Sequence, residues 1–262
     1  MPRPRRTPPR INGLSGHSKW ASIKHKKAIV DARRGQHFTK LARAITVAAR
    51  EGGGDPEMNA ALGNAVQKAK DASMPKDNIE RAIAKGVGAG ADAEAFAAVV
   101  YEGYGPGGVA LLIETLTDNR NRTAADMRHL LGKGGGNLGE PGSVAYLFNK
   151  RGLIVVDGAR YGEDDLLAAI EAGAEDILTD GDTLEVLSDP GDLPAVRGAL
   201  EAAGVEIESA EVTQQPTMRV EVDEEAAGKL LRLIETLEEN DDVSAVHANL
   251  EVSDEILERV AG

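Results

Sequence analysis

Residues 153–212 read LIVVDGARYGEDDLLAAIEAGAEDILTDGDTLEVLSDPGDLPAVRGALEAAGVEIESAEV, and the order of apolar runs and turn residues in this stretch decides the architecture. Residues 153–157 form a short, nearly continuous apolar run closed by Asp157-Gly158, the pattern of a buried strand. Apolar residues at helical spacing follow over 163–172, then two short strands over 176–178 and 183–187 across the turn 179–182. A second helical stretch spans 193–203 and a last strand spans 205–212. The order βαββαβ is a complete ferredoxin-like unit, here bounded at 143–212.

Incomplete pieces lie on either side of it. Before it come strands over 95–101 and 109–117, joined by Gly103-Tyr104-Gly105-Pro106-Gly107-Gly108, and a helix over 123–131. After it come a strand over 217–222, a helix over 224–239 and a strand over 243–248. Neither ββα nor βαβ can bury a sheet face by itself. The two are therefore expected to pair as one discontinuous middle domain, 91–142 with 213–262, into which the ferredoxin-like domain is inserted.

Residues 15–90 read as helical. One helix is expected over 21–34, ending near Gly35, and a second over 36–51, closed by Gly52-Gly53-Gly54. A third begins after Asp55-Pro56, with Asp as cap and Pro in the first turn. The fourth opens at Asp77-Asn78-Ile79-Glu80, a capping-box arrangement. At 100° per residue Phe38, Leu41, Ile45, Ala48 and Ala49 occupy about one third of the circle, opposite Lys40, Arg43 and Arg50. The expected fold class is α+β: an N-terminal helical bundle plus two α/β-sandwich, ferredoxin-like domains.

Charge follows this division. The 262 residues carry a net charge of −13, but residues 1–86 hold 18 Lys and Arg against 7 Asp and Glu, while residues 87–262 hold 12 against 36. A head of +11 precedes a body of −24. Asp31 is the only acid among the first 50 residues. Cations without acidic neighbours at helical spacing repel one another, and a polyanion relieves that repulsion while releasing its own counterions. Nucleic acid is the expected partner. The contacts expected from the residues are Lys19, Trp20, Lys24, His25, Lys26, Lys27, Arg33, Arg34, Lys40, Arg43 and Arg50, with Arg120 and Arg122 as an outlying cationic island. Asp118 or Asn121 in that island is equally placed to cap a helix. Trp20 is either a base-stacking residue or part of the small core. Gly134 to Gly136 with Asn137 read as a flexible tip or an interdomain loop. Residues 1–14, MPRPRRTPPRINGL, hold four Arg and four Pro and no acid. They read as a disordered basic arm, or as residues preceding the natural start.

Further motifs extend the reading. Ser15-Gly16-His17-Ser18-Lys19-Trp20, Ile23-Lys24-His25-Lys26-Lys27, Phe38-Thr39-Lys40, Ala48-Ala49-Arg50-Glu51-Gly52-Gly53-Gly54-Asp55-Pro56 and Met74-Pro75-Lys76-Asp77-Asn78-Ile79-Glu80-Arg81-Ala82-Ile83 come first. Asp118-Asn119-Arg120-Asn121-Arg122-Thr123, Gly135-Gly136-Asn137-Leu138-Gly139, Gly142-Ser143-Val144 and Leu147-Phe148 follow in order. Together they resemble the YebC family over residues 15 to about 250. The resemblance implies a three-domain cytoplasmic protein with a helical N-terminal domain and two α+β domains. Bacterial members are labelled probable DNA-binding transcriptional regulators; others, including a mitochondrial translational activator, are linked to translation and to relief of stalled ribosomes. The arm before Ser15 departs from the family pattern. So does Ala42-Arg43-Ala44, where an acid is common.

Several chemistries are excluded or disfavoured. With no Cys there is no disulfide, thiol nucleophile or Cys-ligated metal. The longest uncharged run, 103–113, is 11 residues, against the roughly 18 that suggest a membrane span; the chain reads as soluble and cytoplasmic. Gly103-x-Gly105-x-x-Gly108 matches a dinucleotide fingerprint in form, yet a strand and not a helix follows it, and Gly134-x-Gly136-x-x-Gly139 follows a helix. No P-loop occurs. The five histidines show no close carboxylate partner in sequence. No nucleophile–base set is visible, so no enzyme, cofactor, metal or small-molecule substrate is expected. Only eight residues are aromatic, and the strands at 153–157 and 217–222 hold none, which removes base stacking on the sheets. Three readings remain: a DNA-binding transcriptional regulator, a ribosome-associated translation factor gripping ribosomal RNA, and an acidic protein-interaction scaffold.

Overall fold

The computed structural model describes residues 31–88, 96–180 and 182–261. Three helices come first: α1 (Asp31–Gly52), α2 (Ala60–Asp71) and α3 (Lys76–Gly88). Next are β1 (Ala97–Tyr104), β2 (Ala110–Thr117), α4 (Arg120–Lys133) and the two-residue β3 (Asn137–Leu138). The stretch quoted above supplies β4 (Phe148–Asp157), α5 (Leu167–Glu171), β5 (Ala174–Asp180), β6 (Thr183–Ser188), α6 (Leu193–Ala202) and β7 (Ile207–Pro216). The chain closes with β8 (Val220–Glu221), α7 (Glu224–Glu238), β9 (Val243–Ala248), β10 (Leu250–Glu251) and α8 (Asp254–Ala261). The class is α+β.

The sheet of the ferredoxin-like unit has the order β5-β6-β4-β7, with every neighbour antiparallel. Ile154 and Val156 of β4 pair with Val186 and Leu184 of β6 and face Ala169, Val196 and Leu200 of the helices. Leu153 and Val155 pack with Leu187 on the opposite face. Burial on both faces is why this strand carries an unbroken apolar run instead of an alternation. The β4–β7 ladder runs on to Phe148 and Pro216, and Phe148 packs with Ala110 and Leu112 of the neighbouring sheet.

That neighbouring sheet has the order β3-β1-β2-β9. Its core draws Leu111, Ile113, Met127 and Leu131 from before the insertion, and Leu230, Ile234, Val246 and Leu257 from after it. Two segments far apart in sequence thus share one dry interior. The strand expected at 217–222 is not part of this sheet: β8 pairs in parallel with β10 as a separate two-stranded piece. Gly134–Gly136 form neither a mobile tip nor a linker. Gly135 takes φ 82°, and a Cβ on Gly136 would lie 2.2 Å from the Tyr104 carbonyl oxygen, so the turn is packed against β1 and delivers β3 to its edge.

The helical unit buries Leu41, Ile45, Ala49, Leu62, Val66, Met74, Ile79 and Ala82. The break expected at Gly35 is absent, since α1 runs through it and Thr39 Oγ1 donates to the Gly35 carbonyl at 3.0 Å. One glycine costs a helix only about 1 kcal/mol relative to alanine, too little to end one of this length. Nor does α2 begin at Asp55-Pro56. Asp55 instead closes a turn, and Asn59 is the cap, its Oδ1 accepting from Leu62 N at 3.1 Å. The Asn59 amide also donates to the Ala48 and Gly53 carbonyls, at 2.8 and 2.9 Å, tying the glycine loop to the end of α1. Gly86 lets α3 close on α1: a Cβ there would meet the Thr46 carbonyl oxygen at 2.5 Å.

Candidate nucleic-acid interface

Lys40, Arg43 and Arg50 lie on one side of α1, as their spacing predicts, but that side is a seam and not an open face. Lys40 Nζ donates to the Glu238 carbonyl at 2.5 Å. This carbonyl belongs to the C-terminal end of α7, where the helix dipole favours a cation. Gln36 Nε2 reaches the next carbonyl, of Glu239, at 2.7 Å. Arg43 Nη1 lies 3.2 Å from Asp242 Oδ1 and also donates to the carbonyls of Leu116 and Asp241. Its guanidinium stacks over the Phe96 ring, 4.6 Å from the centroid. Arg50 donates to the Phe96 carbonyl at 2.8 Å. The expectation of an outward-facing cationic stripe fails for these three because the acidic body supplies carbonyl and carboxylate acceptors within reach.

Asp242, 8% exposed at its side chain, is the junction of this seam. Its second oxygen accepts from Arg122 at 2.8 Å and from Thr123 Oγ1 at 2.7 Å. Burial pushes this carboxyl upward; the hydrogen bonds from Arg122 and Thr123 and the charges of Arg122 and Arg43 outweigh burial and hold it below its ordinary value. Arg122 also pairs with Asp118 at 2.7 Å. The α4 cap is Asn119, which accepts from Arg122 N, and not Asp118 or Asn121. Arg120 stands exposed at the first position of α4.

Two further pairs tie α2 to the ferredoxin-like unit. Lys68 Nζ is 2.9 Å from Glu211, and Arg197 grips Asp71 with both terminal nitrogens, at 2.8 and 3.0 Å. Lys19, Trp20, Lys24, His25, Lys26 and Lys27, with residues 1–14, lie outside the described residues. Arg33 and Arg34 fall on α1, their side chains likewise outside what is described.

Among the described residues of the helical unit, Lys70, Lys76, Arg81 and Lys85 are also exposed, Lys76 lying 3.5 Å from Glu80. None was singled out from sequence. The signal was present for two of them: Arg81 and Lys85 stand four apart in α3, on one face beside Asn78, although that helix opens at Lys76 and not at the expected Asp77-Asn78. They rim a cleft of about 580 Å³ between α1 and α3, walled also by Phe38, Phe96 and Met74.

Elsewhere the histidine reading needs correction. His247 has a carboxylate neighbour that the sequence order hides: the β2–β9 register brings Glu114 Oε1 to 3.7 Å from its Nε2. The His247 contact, helped by Gln214 at 3.0 Å, outweighs burial and lowers the Glu114 carboxyl to about 2. Gly103-x-Gly105-x-x-Gly108 spans the end of β1 and the turn into β2, so a strand and not an α-helix follows it.

Comparisons with known proteins agree over nearly the whole chain. Residues 18–89 match the TACO1/YebC protein N-terminal domain, and residues 96–250 match the TACO1/YebC second and third domain. A probable transcriptional regulatory protein of Rubrobacter xylanophilus is 56% identical over 250 residues, covering 95% of this chain and 100% of that protein. One from Acidothermus cellulolyticus is 55% identical over 248 residues, covering 94% and 100%. The crystal structure of a conserved hypothetical protein from Aquifex aeolicus superposes with a TM-score of 0.80 at 49% identity, covering 91% of this chain and 99% of that one.

Proposed function

The chain belongs to the TACO1/YebC family, and on that premise we propose that it is a non-enzymatic, cytoplasmic, DNA-binding regulator of transcription that grips DNA through its N-terminal helical unit. The observation that carries this reading is the charge partition, +11 in residues 1–86 against −24 in the remainder. The exposed positions of Lys70, Lys76, Arg81 and Lys85 support it, as do the printed names of the relatives. The acidic body repels a polyanion, so DNA lies against the helical unit, with Arg120 as an outlying contact. Lys40, Arg43 and Arg50 act in this reading by holding that unit on the body. The same view divides the chain into a helical domain to about residue 90, a discontinuous middle domain and an inserted ferredoxin-like domain.

The test is duplex binding by the full chain across a salt series. Affinity is expected to fall steeply with salt, since each phosphate contact releases counterion. Replacing Lys24, Lys26, Lys27, Arg81 and Lys85 together by Ala should abolish it; unchanged affinity would overturn the reading in favour of a protein-interaction scaffold. Crosslinking in cells, with recovered DNA and RNA both sequenced, tests the nucleic acid itself. Promoter enrichment supports the proposal, whereas ribosomal RNA without promoter DNA overturns it in favour of a translation factor.

A further inference from the structure

The ferredoxin-like sheet has two faces, and α5 and α6 pack on one of them. Residues directly opposite in an antiparallel ladder share a face, which places Leu153, Val155, Leu178 and Leu187 together on the other. Glu185 stands on that face between Val155 and Leu178. Leu153, Val155 and Leu187 are only 3–8% exposed there, and Glu185 1%. From outside the unit the principal contacts come from α2 and β9, and they fall on the edge strand β7, roughly 10 Å from β6. Those elements account for burial at one margin of the face and not at its centre.

Charge and hydropathy say what belongs over the centre. Asp176 and Glu211 flank the aliphatic cluster on β5 and β7. Among the described residues the cations here are Arg151, which pairs with Glu175, and Lys68, which reaches Glu211 from α2 at 2.9 Å. A carboxylate as enclosed as Glu185 is costly unless a cation or N–H group meets it. Residues 1–30 carry eight Lys and Arg and no acid, with Ile11, Leu14, Trp20 and Ile23 among them. They supply cations for the acids and apolar side chains for the centre, whereas a nucleic-acid strand is repelled by this face. The route is short. Gln36, in the second turn of α1, holds the Glu239 carbonyl at 2.7 Å. Glu211 first, with Glu114 and Glu238, raises the Lys68 ammonium above its ordinary value despite burial. The start of α1, the end of α7 and the β7 margin of the face are therefore neighbours, and thirty residues extended reach up to about 100 Å.

We propose that residues 1–30 of this chain dock on the acidic face of the ferredoxin-like sheet, and that DNA competes with this face for them. The competition rests on the DNA-binding reading above; the docking does not.

Trp20 is the chain's single tryptophan and reports on the segment. Asp176→Lys reverses an exposed charge on the face, and Glu171→Lys makes the same change at an exposed position of α5, on the other side of the sheet. In the full chain, acrylamide quenching of Trp20 should rise with Asp176→Lys and keep its parent value with Glu171→Lys. Paired-duplex affinity should rise about threefold with Asp176→Lys alone, the worth of an exposed ion pair. Carbodiimide should couple Lys24, Lys26 or Lys27 to Asp176 or Glu211 within one chain, and duplex should suppress the coupling. Equal quenching in the parent and Asp176→Lys chains, with no such crosslink, overturns the docking. Crosslinks that join light to heavy chains in an isotopically mixed sample make a second copy's segment the occupant and also overturn it. Docking with equal duplex affinity in all three chains overturns the competition. A chain that docks its segment yet binds no duplex overturns the DNA reading and leaves the docking supported.

Discussion

Arg43 and Asp242, 199 residues apart, meet at 3.2 Å, and the carboxylate they share with Arg122 and Thr123 is nearly closed to water. This one acid joins α1 to the loop before β9 and to the start of α4, three segments that belong to different parts of the chain.

Asp242→Asn should therefore loosen the helical unit from the body. Removing the charge takes the Asp242 carboxylate from Arg43 and leaves Arg122 with Asp118, and breaking one partner of a buried pair costs about 3–5 kcal/mol. Arg43 is 19% exposed and Arg122 47% exposed, so solvent screening puts the expected loss at the low end. Hydrogen exchange should show it first in the amides of α1. A melt and an exchange pattern equal to those of the parent chain would contradict the role given to this residue.

Glu102 is the centre of a different device. Its carboxylate accepts from the backbone N–H groups of Gly142, Val144 and Ala145 at 2.6, 2.7 and 2.8 Å, folding the loop after β3 around itself. Burial raises this carboxyl, and the three N–H donors outweigh burial and leave it below its ordinary value of 4.5. A depressed carboxyl stabilises the fold fully above that ordinary value and loses its contribution as pH falls through the lower folded value. Acid should thus release the 139–145 loop at a pH below the usual carboxylate range. Glu102→Gln should mimic this at neutral pH, because the amide keeps one acceptor oxygen in place of two. About 1–3 kcal/mol is expected, read by chemical denaturation.

Asn59→Ala removes a helix cap and two carbonyl contacts in one step. The cap alone is worth about 1 kcal/mol, and the Ala48 and Gly53 carbonyls lose their donor at a residue only 7% exposed. A loss of about 2 kcal/mol, measured as a shift in the denaturant midpoint with the slope unchanged, is the expected result. Asp55→Ala should cost less, since Asp55 closes a turn and caps no helix.

Gly86→Ala tests the closeness of α1 and α3. The added carbon would stand 2.5 Å from the Thr46 carbonyl oxygen and 2.7 Å from Ala49 Cβ, so the helices must separate. Overpacking of this kind costs about 1–3 kcal/mol, despite the gain in helix propensity from replacing glycine. Stabilisation by this substitution would show that the two helices do not cross so closely.

Much of the fold was legible because its signals are local. The apolar runs and turn residues of 153–212 carry the βαββαβ order, and the residues of α1 that the 3.6-residue period places together, Leu41, Ile45 and Ala49, are buried together. The other sheet takes β1, β2 and β9 from both sides of the ferredoxin-like unit, whereas the strand expected at 217–222 pairs with β10 instead. Errors came where one residue's preference was weighed against its surroundings. Gly35 did not break α1, and Asn59 displaced Asp55-Pro56 as a cap because its amide could also close the glycine loop.

By itself, the sequence determined which segments become helix or strand, which faces are apolar, and that positive charge gathers at the N-terminal end. Those properties depend on neighbours within a few residues along the chain. Only the tertiary structure decided what the cations do. Lys40 finds the end of α7 and Arg43 finds Asp242 across nearly 200 residues, so cations that periodicity places on an outer face become an internal seam. Arg81 and Lys85 are left facing outward beside two phenyl rings that no spacing rule connects. A charge's partner is fixed by the distance of a few ångströms at which it works, and only the folded chain sets that distance.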